Sequence, residues 1–131
     1  MKLKIVNSAV SILKYYFLNF PIRELLINFD KETNLRIISK KTLRDFWEKH
    51  SDCKQQLLSW HQESSKSNWK TPNDIKKEYP SASFLLQNRI VFNIKGNTYR
   101  LIVKVNYEHQ IIWIRFVGTH SEYDKIDANK I

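Results

Sequence analysis

The side chains best suited to acid–base chemistry stand near the end of the chain. His120 and Tyr123 lie three residues apart, after the last predicted strand. Arg100 and Lys95 lie upstream, on either side of a Gly-Asn turn. An imidazole or a phenol can move a proton, and cationic side chains stabilise a developing negative charge. This set favours cleavage of an RNA phosphodiester without a metal, because the 2′-OH must lose a proton and the 5′-oxygen must gain one.

Other kinds of site have little support in the composition. The chain has two glycines and therefore no glycine-rich phosphate loop. Its single cysteine, Cys53, excludes an internal disulfide and a cysteine-based zinc site. The four histidines stand far apart in sequence, and no serine lies in a nucleophile-elbow context. We therefore predict neither a metal nor a cofactor.

Positive charge is spread along the whole chain of 131 residues. The formal net charge is +9, with +2 in residues 1–35, +4 in residues 36–80 and +3 in residues 81–131. A folded basic domain indicates a polyanionic partner, such as RNA, DNA, the ribosome or an acidic protein. The alternative is a basic protein that has no such partner.

Three predicted strands bring the candidate residues to one face. Arg89 to Lys95, Thr98 to Val105 and Ile111 to Val117 each alternate between apolar and more polar positions. A two-residue turn at Gly96-Asn97 would pair Lys95 with Thr98 and Asn93 with Arg100. Ile112, Ile114 and Phe116 are predicted on the apolar face of the third strand. The opposite face carries the remaining candidates, which are Arg89, Asn93, Lys95, Arg100, Trp113 and Arg115.

Helices are predicted on the apolar face of this sheet. Leu35 to Ile38 is typical of a short strand, and Ser39 is a candidate N-cap for a helix whose Leu43, Phe46 and Trp47 share one side. Asp52 is a candidate cap for a second helix with Cys53, Leu57 and Trp60 on one side. Thr71-Pro72-Asn73-Asp74 predicts the start of a third helix, and Tyr79-Pro80 its end. The fold class is therefore α+β, with a helical hairpin packed on a small, mostly antiparallel sheet.

Several segments, in order, resemble one protein family. They are Trp69-Lys70-Thr71-Pro72, Tyr79-Pro80-Ser81-Ala82-Ser83, Asn88 to Asn97, Tyr99-Arg100-Leu101-Ile102-Val103, and Ile114 to Asp124 with its Gly-Thr-His-x-x-Tyr-Asp signature. The chain resembles the HigB toxins of bacterial type II toxin–antitoxin systems over about residues 35–127. This resemblance implies a RelE-like fold and an mRNA interferase that acts in the ribosomal A site.

The resemblance also implies roles for individual residues. Arg100 matches the arginine that contacts the scissile phosphate in RelE-like toxins, and Tyr123 lies near their terminal tyrosine. His120 stands where several relatives have arginine, so it either moves a proton or only binds phosphate. Lys95 completes the predicted catalytic set. Arg89, Asn93, Arg115 and Trp113 are the predicted RNA contacts, although each is also explained as an ordinary strand residue.

The implied partners are mRNA, the 70S ribosome and a helix-turn-helix antitoxin of the HigA type, with operator DNA reached only through that antitoxin. Two other functions stay open at this point. The chain could be a non-catalytic module that blocks RNA or the ribosome, or an inactive relative kept for antitoxin binding and repression. No segment has the length and apolarity of a membrane span or a convincing secretory signal, so we expect a cytoplasmic protein.

Residues 1–34 lie outside the resemblance, and the domain is predicted to comprise residues 35–131. Two explanations compete for this N-terminal extension. It is translated upstream sequence from a misassigned start, or it is a native extension with a helix over about Ile12 to Phe20. The first is favoured because the stretch is poorly patterned and rich in asparagine and phenylalanine.

Overall fold

Five strands form one mixed sheet in the computed structural model, which describes residues 35–131. The strands are β1 (Arg36–Ile38), β2 (Ser83–Phe84), β3 (Arg89–Ile94), β4 (Tyr99–Asn106) and β5 (Ile111–Thr119). Their order is β1-β5-β4-β3-β2; β1 runs parallel to β5, and every other pair is antiparallel. The N-terminal extension and its predicted helix lie outside the described residues.

Four helices accompany the sheet. They are α1 (Lys40–Lys49), α2 (Lys54–Lys66), α3 (Pro72–Glu78) and α4 (His120–Asp124), with short 3-10 turns at Ser51–Cys53 and Leu86–Asn88. α1 and α2 contact each other, and both contribute buried side chains to the core. The α+β class predicted from the sequence is confirmed. Among the described residues, no helix is long and apolar enough to cross a membrane.

The helix starts were predicted with mixed success. Thr71 and Asp74 form a reciprocal capping box at α3, with Pro72 at its first position, as predicted. Ser39 is the N-cap of α1 but makes no hydrogen bond through its side chain. The prediction that Asp52 caps α2 is wrong, because Asp52 lies inside a 3-10 turn and its carboxylate binds Lys95 and Tyr99 instead.

The core lies between the helices and one face of the sheet. Phe92 of β3 is 1% exposed and meets three other aromatic rings. The centroid distances are 5.4 Å to Trp60, 5.1 Å to Tyr79 and 6.4 Å to Trp69. Since aromatic side chains bury large areas, this contact group fixes where the helices sit on the sheet. The opposite face of the sheet carries Asn93 and Arg100 beside the buried Val91 and Ile102.

The β3–β4 hairpin has the predicted register but a different turn. Asn93 lies opposite Arg100, as predicted. The prediction that β3 continues to Lys95 is wrong, since the strand ends at Ile94 and the turn begins at Lys95. Lys95 and Gly96 have φ values of 53° and 64°, and the N–H of Thr98 donates to the carbonyl of Lys95 at 3.1 Å. The four-residue turn keeps the same cross-strand pairs, so the facing residues do not change.

A bulge in β5 changes which side chains share a face. Ile102 lies opposite Phe116 and Val103 opposite Ile114, which leaves Arg115 without a partner on β4. The extra residue shifts the alternation, as β-bulges do. Val117 therefore packs against the core, and Phe116 shares the opposite face with Ile102. The predicted placement of Phe116 with Ile112 and Ile114 is wrong for this reason.

Candidate active site

The site is built around Arg100, which lies on the sheet face away from the helical core. Its neighbours across the sheet are Asn93 on β3 and Gly118 on β5. The guanidinium Nη1 donates to the carbonyl of Asn97 at 2.9 Å and lies 3.4 Å from that of Tyr99. Because the turn before β4 supplies these acceptors, the side chain has a defined direction. Its second nitrogen, Nη2, points to His120.

Helix α4 holds the second part of the site. Thr119 and Glu122 form a capping box, in which the carboxylate accepts the N–H of Thr119 at 2.8 Å and Thr119 Oγ1 accepts the N–H of Glu122 at 3.1 Å. The bond from the N–H of Thr119 lowers the pKa of Glu122 below its ordinary value. The N–H of His120 donates to the carbonyl of Thr98 at 3.1 Å, which ties the helix start to the β3–β4 turn.

His120 lies between a cation and a carboxylate. Its Nδ1 is 3.4 Å from Nη2 of Arg100, and its Nε2 is 3.4 Å from Oδ1 of Asp124. A guanidinium has no acceptor, so the contact with Arg100 is a hydrogen bond only in the tautomer that leaves Nδ1 unprotonated and carries the ring proton on Nε2, towards Asp124. The imidazole side chain is 51% exposed and can reach a substrate. The arrangement places Nδ1 beside the cation and Nε2 beside the carboxylate.

Tyr123, the fourth residue of α4, completes the cluster. The guanidinium carbon of Arg100 lies 5.7 Å from the centroid of its ring. That distance is within the range of a cation–π contact. The structure thus brings Arg100, His120 and Tyr123 together, with Asp124 as a fourth member. We name these four residues the catalytic cluster, after the role that we propose for them below.

Lys95 points to a different group of residues. Its Nζ lies 2.8 Å from Oδ2 of Asp52, and Oδ1 of Asp52 accepts the hydroxyl of Tyr99 at 2.7 Å. The lysine bond, followed by the tyrosine bond, lowers the pKa of Asp52, and the carboxylate in turn raises the pKa of Tyr99 to about 12. Within residues 35–131, Lys95 makes no hydrogen bond or ion pair with a member of the catalytic cluster. Its predicted catalytic role remains a prediction.

Arg89 and Arg115 converge on the backbone oxygen of Ile131. Arg89 donates from Nε at 3.2 Å and from Nη2 at 3.1 Å, while Nε of Arg115 lies at 3.4 Å. Arg89 is 6% exposed, so the expectation that it stands on a solvated face is wrong. Arg115 is exposed at the bulge. RNA contact by either residue remains a prediction.

The two other predicted RNA contacts lie on either side of the cluster. Asn93 is half-buried beside Arg100, and its Nδ2 lies 3.5 Å from the carbonyl of Ser81. It also lines a cleft of about 310 Å³ between β3 and α2. Trp113 is half-buried opposite Lys104 and lines a separate cleft of about 410 Å³. The structure therefore places Asn93 near the cluster, and Trp113 farther along the sheet.

Sequence reasoning missed Asp124 and the helix that carries it. No helix was predicted for the segment after the third predicted strand. Thr119-x-x-Glu122 is a capping-box signature that predicts a helix start. Had that signal been used, the spacing of four between His120 and Asp124 would have placed both side chains on one side of a helix.

The chain is similar in sequence to proteins of one known family. The family described as HigB_toxin, RelE-like toxic component of a toxin-antitoxin system, matches residues 53–126. The chain is 35% identical over 96 residues to the mRNA interferase toxin HigB of Escherichia coli K12, covering 72% of this chain and 92% of that protein. The mRNA interferase HigB of Shigella flexneri matches to the same extent. The mRNA interferase HigB of Escherichia coli O6:H1 is 24% identical over 94 residues, covering 70% of this chain and 91% of the relative.

Proposed function

Because the chain belongs to the HigB family of RelE-like toxins, we propose that it is the toxin of a type II toxin–antitoxin system and an endoribonuclease that cleaves mRNA. The observation that carries this proposal is the contact of Arg100 with His120, where a cation and a basic nitrogen lie 3.4 Å apart on an exposed face. A phosphodiester bound there would meet both groups that its cleavage requires. Translation stops because the message is cut.

The proposed reaction begins when a substrate phosphate binds Arg100. The phosphate takes the guanidinium contact that Nδ1 of His120 otherwise holds, so Nδ1 becomes free to accept the proton of the 2′-OH. The 2′-oxygen then attacks the phosphorus, and Arg100 stabilises the negative charge of the phosphorane. The bond from phosphorus to the 5′-oxygen then breaks, and the proton held at Nδ1 of His120 passes to that oxygen, which gives a 2′,3′-cyclic phosphate and a 5′-hydroxyl and regenerates the imidazole. No step in this sequence uses a metal.

Asp124 and Tyr123 support this proton transfer in different ways. The carboxylate of Asp124 faces Nε2–H and stabilises the imidazolium that forms when Nδ1 is protonated. Tyr123 lies against Arg100 and orients the substrate beside it. Lys95, Asn93, Arg89, Arg115 and Trp113 belong to this proposal as further contacts to RNA or to the reacting phosphate. Support for Asn93 is strongest, because it is the cross-strand neighbour of Arg100.

The proposed partners follow from the charge and the family. The net charge of +9 suits a substrate presented on the ribosome, so we place the cleavage in the A site of the 70S particle, in the cytoplasm. A helix-turn-helix antitoxin of the HigA type would neutralise the toxin and carry it to operator DNA. The toxin domain is residues 35–131, a RelE-like fold with α1 and α2 as its helical hairpin.

Primer extension on mRNA from induced cells tests this function. We expect discrete new 5′ ends that appear with the protein and are absent when Arg100→Ala is induced at the same level. Arrested translation over intact messages, with no new ends, would instead support a protein that blocks the ribosome without cutting. Mapping the ends on ribosome-bound and naked transcripts of one sequence determines whether the ribosome is required.

A further inference from the structure

The bulge in β5 places an aromatic ring beside the catalytic cluster. Phe116 lies on the same sheet face as Arg100, because Arg115 is the extra residue that reverses the alternation. It is half-buried and is absent from the group of partly buried side chains that pack against the core. The ring therefore lies outside the core between helices and sheet, next to Ile102 of the opposite face, which is fully buried.

Gly118 determines where this ring lies. A Cβ atom on Gly118 would stand 2.5 Å from Cζ and 3.0 Å from Cε2 of Phe116, so the tip of the ring occupies the place of the missing side chain. Gly118 is the direct partner of Arg100 across β4 and β5. Side chains of such partners have Cβ atoms about 4.5–5.5 Å apart. The ring thus takes the position next to Arg100 that a residue-118 side chain would fill.

We propose that Phe116 is the stacking platform for a nucleobase next to the scissile phosphate, an inference that rests on the proposed ribonuclease function. A phosphate on Arg100 brings its flanking base within reach of the adjacent ring face. Stacking on an aromatic ring accepts every base, because each base has a π-face. It supplies affinity and orientation for the nucleotide, while Arg100 and His120 supply the chemistry. Phe116 is a positioning residue for the substrate, and Gly118 is present because the ring needs its space.

Single-turnover cleavage of a defined mRNA by the purified full chain, on programmed ribosomes and on naked RNA, tests this proposal. We expect Phe116→Leu to raise the half-saturating enzyme concentration about 5- to 100-fold while the limiting rate constant changes little. Phe116→Tyr should restore the parent value, since it keeps the ring. Phe84→Leu is the matched control, because Phe84 is an exposed phenylalanine on β2, away from the cluster.

A second measurement uses the unmodified protein. An mRNA with a 2′-O-methyl group at the scissile nucleotide and 2-aminopurine on one side of it should show quenched fluorescence when bound, because stacking quenches this base. Unchanged half-saturation in Phe116→Leu, or no quenching on either side, would overturn the proposal. A lower melting temperature in Phe116→Leu with unchanged cleavage would show that the ring only covers Gly118. If the parent chain cuts neither substrate, the ribonuclease function itself is wrong.

Discussion

Arg100 is held by backbone atoms, so little of the fold depends on its charge. Its hydrogen bonds go to the carbonyls of Asn97 and Tyr99, and its guanidinium meets His120 and Tyr123 at an exposed surface. Losing such a side chain removes few buried contacts. A substitution of Arg100 should therefore change the function of the protein with little effect on its stability.

Arg100→Ala is expected to abolish toxicity with little effect on folding. The free energy of unfolding should change by roughly 1 kcal/mol or less, because the side chain is only half-buried and its hydrogen bonds go to carbonyls of the adjacent turn. The loss of one positioned cation at the phosphorane should slow cleavage about 10²–10³-fold. Growth arrest, cleavage rate and thermal unfolding measure these effects, with Arg44→Ala on the exposed side of α1 as the matched control. Full toxicity at equal expression would remove Arg100 from the site.

His120→Gln is expected to slow single-turnover cleavage more than Asp124→Asn or Tyr123→Phe, while binding is nearly kept in all three. In the proposed reaction the imidazole accepts the proton, whereas Asp124 and Tyr123 only support that transfer. If His120→Gln loses binding and cleavage in parallel, His120 is a phosphate contact and the proton transfer belongs elsewhere.

At the scale of elements, α4 has only five residues and depends on its capping box. An isolated helix of this length is unstable in water, so its ends and its packing must hold it. Glu122 fixes the first turn by accepting the N–H of Thr119, and the same turn carries His120 and Tyr123. The position of the catalytic cluster therefore depends on a residue that does not touch the substrate.

Glu122→Gln is expected to slow cleavage on the order of tenfold by loosening α4, with a small fall in melting temperature at pH 7. The folded-state pKa of Glu122 is lowered, so its stabilising effect is present above the ordinary carboxyl pKa and is lost as the pH falls through the folded value. The difference in melting temperature between Glu122→Gln and the parent should thus shrink as the pH falls below the ordinary carboxyl pKa, and vanish once Glu122 is protonated in the folded state. A difference that persists in acid would exclude the carboxylate as its origin.

Arg89→Ala is expected to destabilise the fold by about 1.5–3 kcal/mol, because a buried guanidinium that donates twice to the Ile131 oxygen is removed. Arg115→Ala removes a longer contact to the same oxygen from an exposed side chain and should cost about 0.5 kcal/mol or less. Urea unfolding of the two variants makes the comparison. Equal destabilisation would mean that the burial of Arg89 does not matter.

The regular parts of the sheet were predictable, and its irregular parts were not. Alternation along β3 and β4 gave the pairing of Asn93 with Arg100, because a slip of one residue would bury charged side chains. The sequence does not indicate the bulge at Arg115, because β5 has apolar residues on both of its faces with or without the bulge. The burial of Arg89 depends on a contact with Ile131, 42 residues away, which local patterns cannot contain. The proximity of His120 to Arg100 could not be predicted without the register of β4 and β5.

At the scale of the whole molecule, residues 35–131 supply the five strands that the structure describes and the catalytic cluster. We expect residues 1–34 to be dispensable, because the family match begins after them, at residue 53. A chain that starts at Leu35 should fold with an unchanged melting temperature and arrest growth when it is induced. An insoluble or inert 35–131 chain beside a toxic full-length one would show that the extension belongs to the domain.

The pairing of β1 with β5 also has a consequence for the timing of synthesis. Arg36 lies opposite Ile111, so the first described strand finds its partner only after a long stretch of chain has been made. Closing so long a loop is slow, and β5, which closes it, leads directly into α4 with His120 and Tyr123. A nascent chain that stops before β5 therefore has neither the β1–β5 pair nor a complete catalytic cluster. We expect nuclease activity to appear only after β5 and α4 have been made, which spares the message that encodes the protein while these elements are still missing.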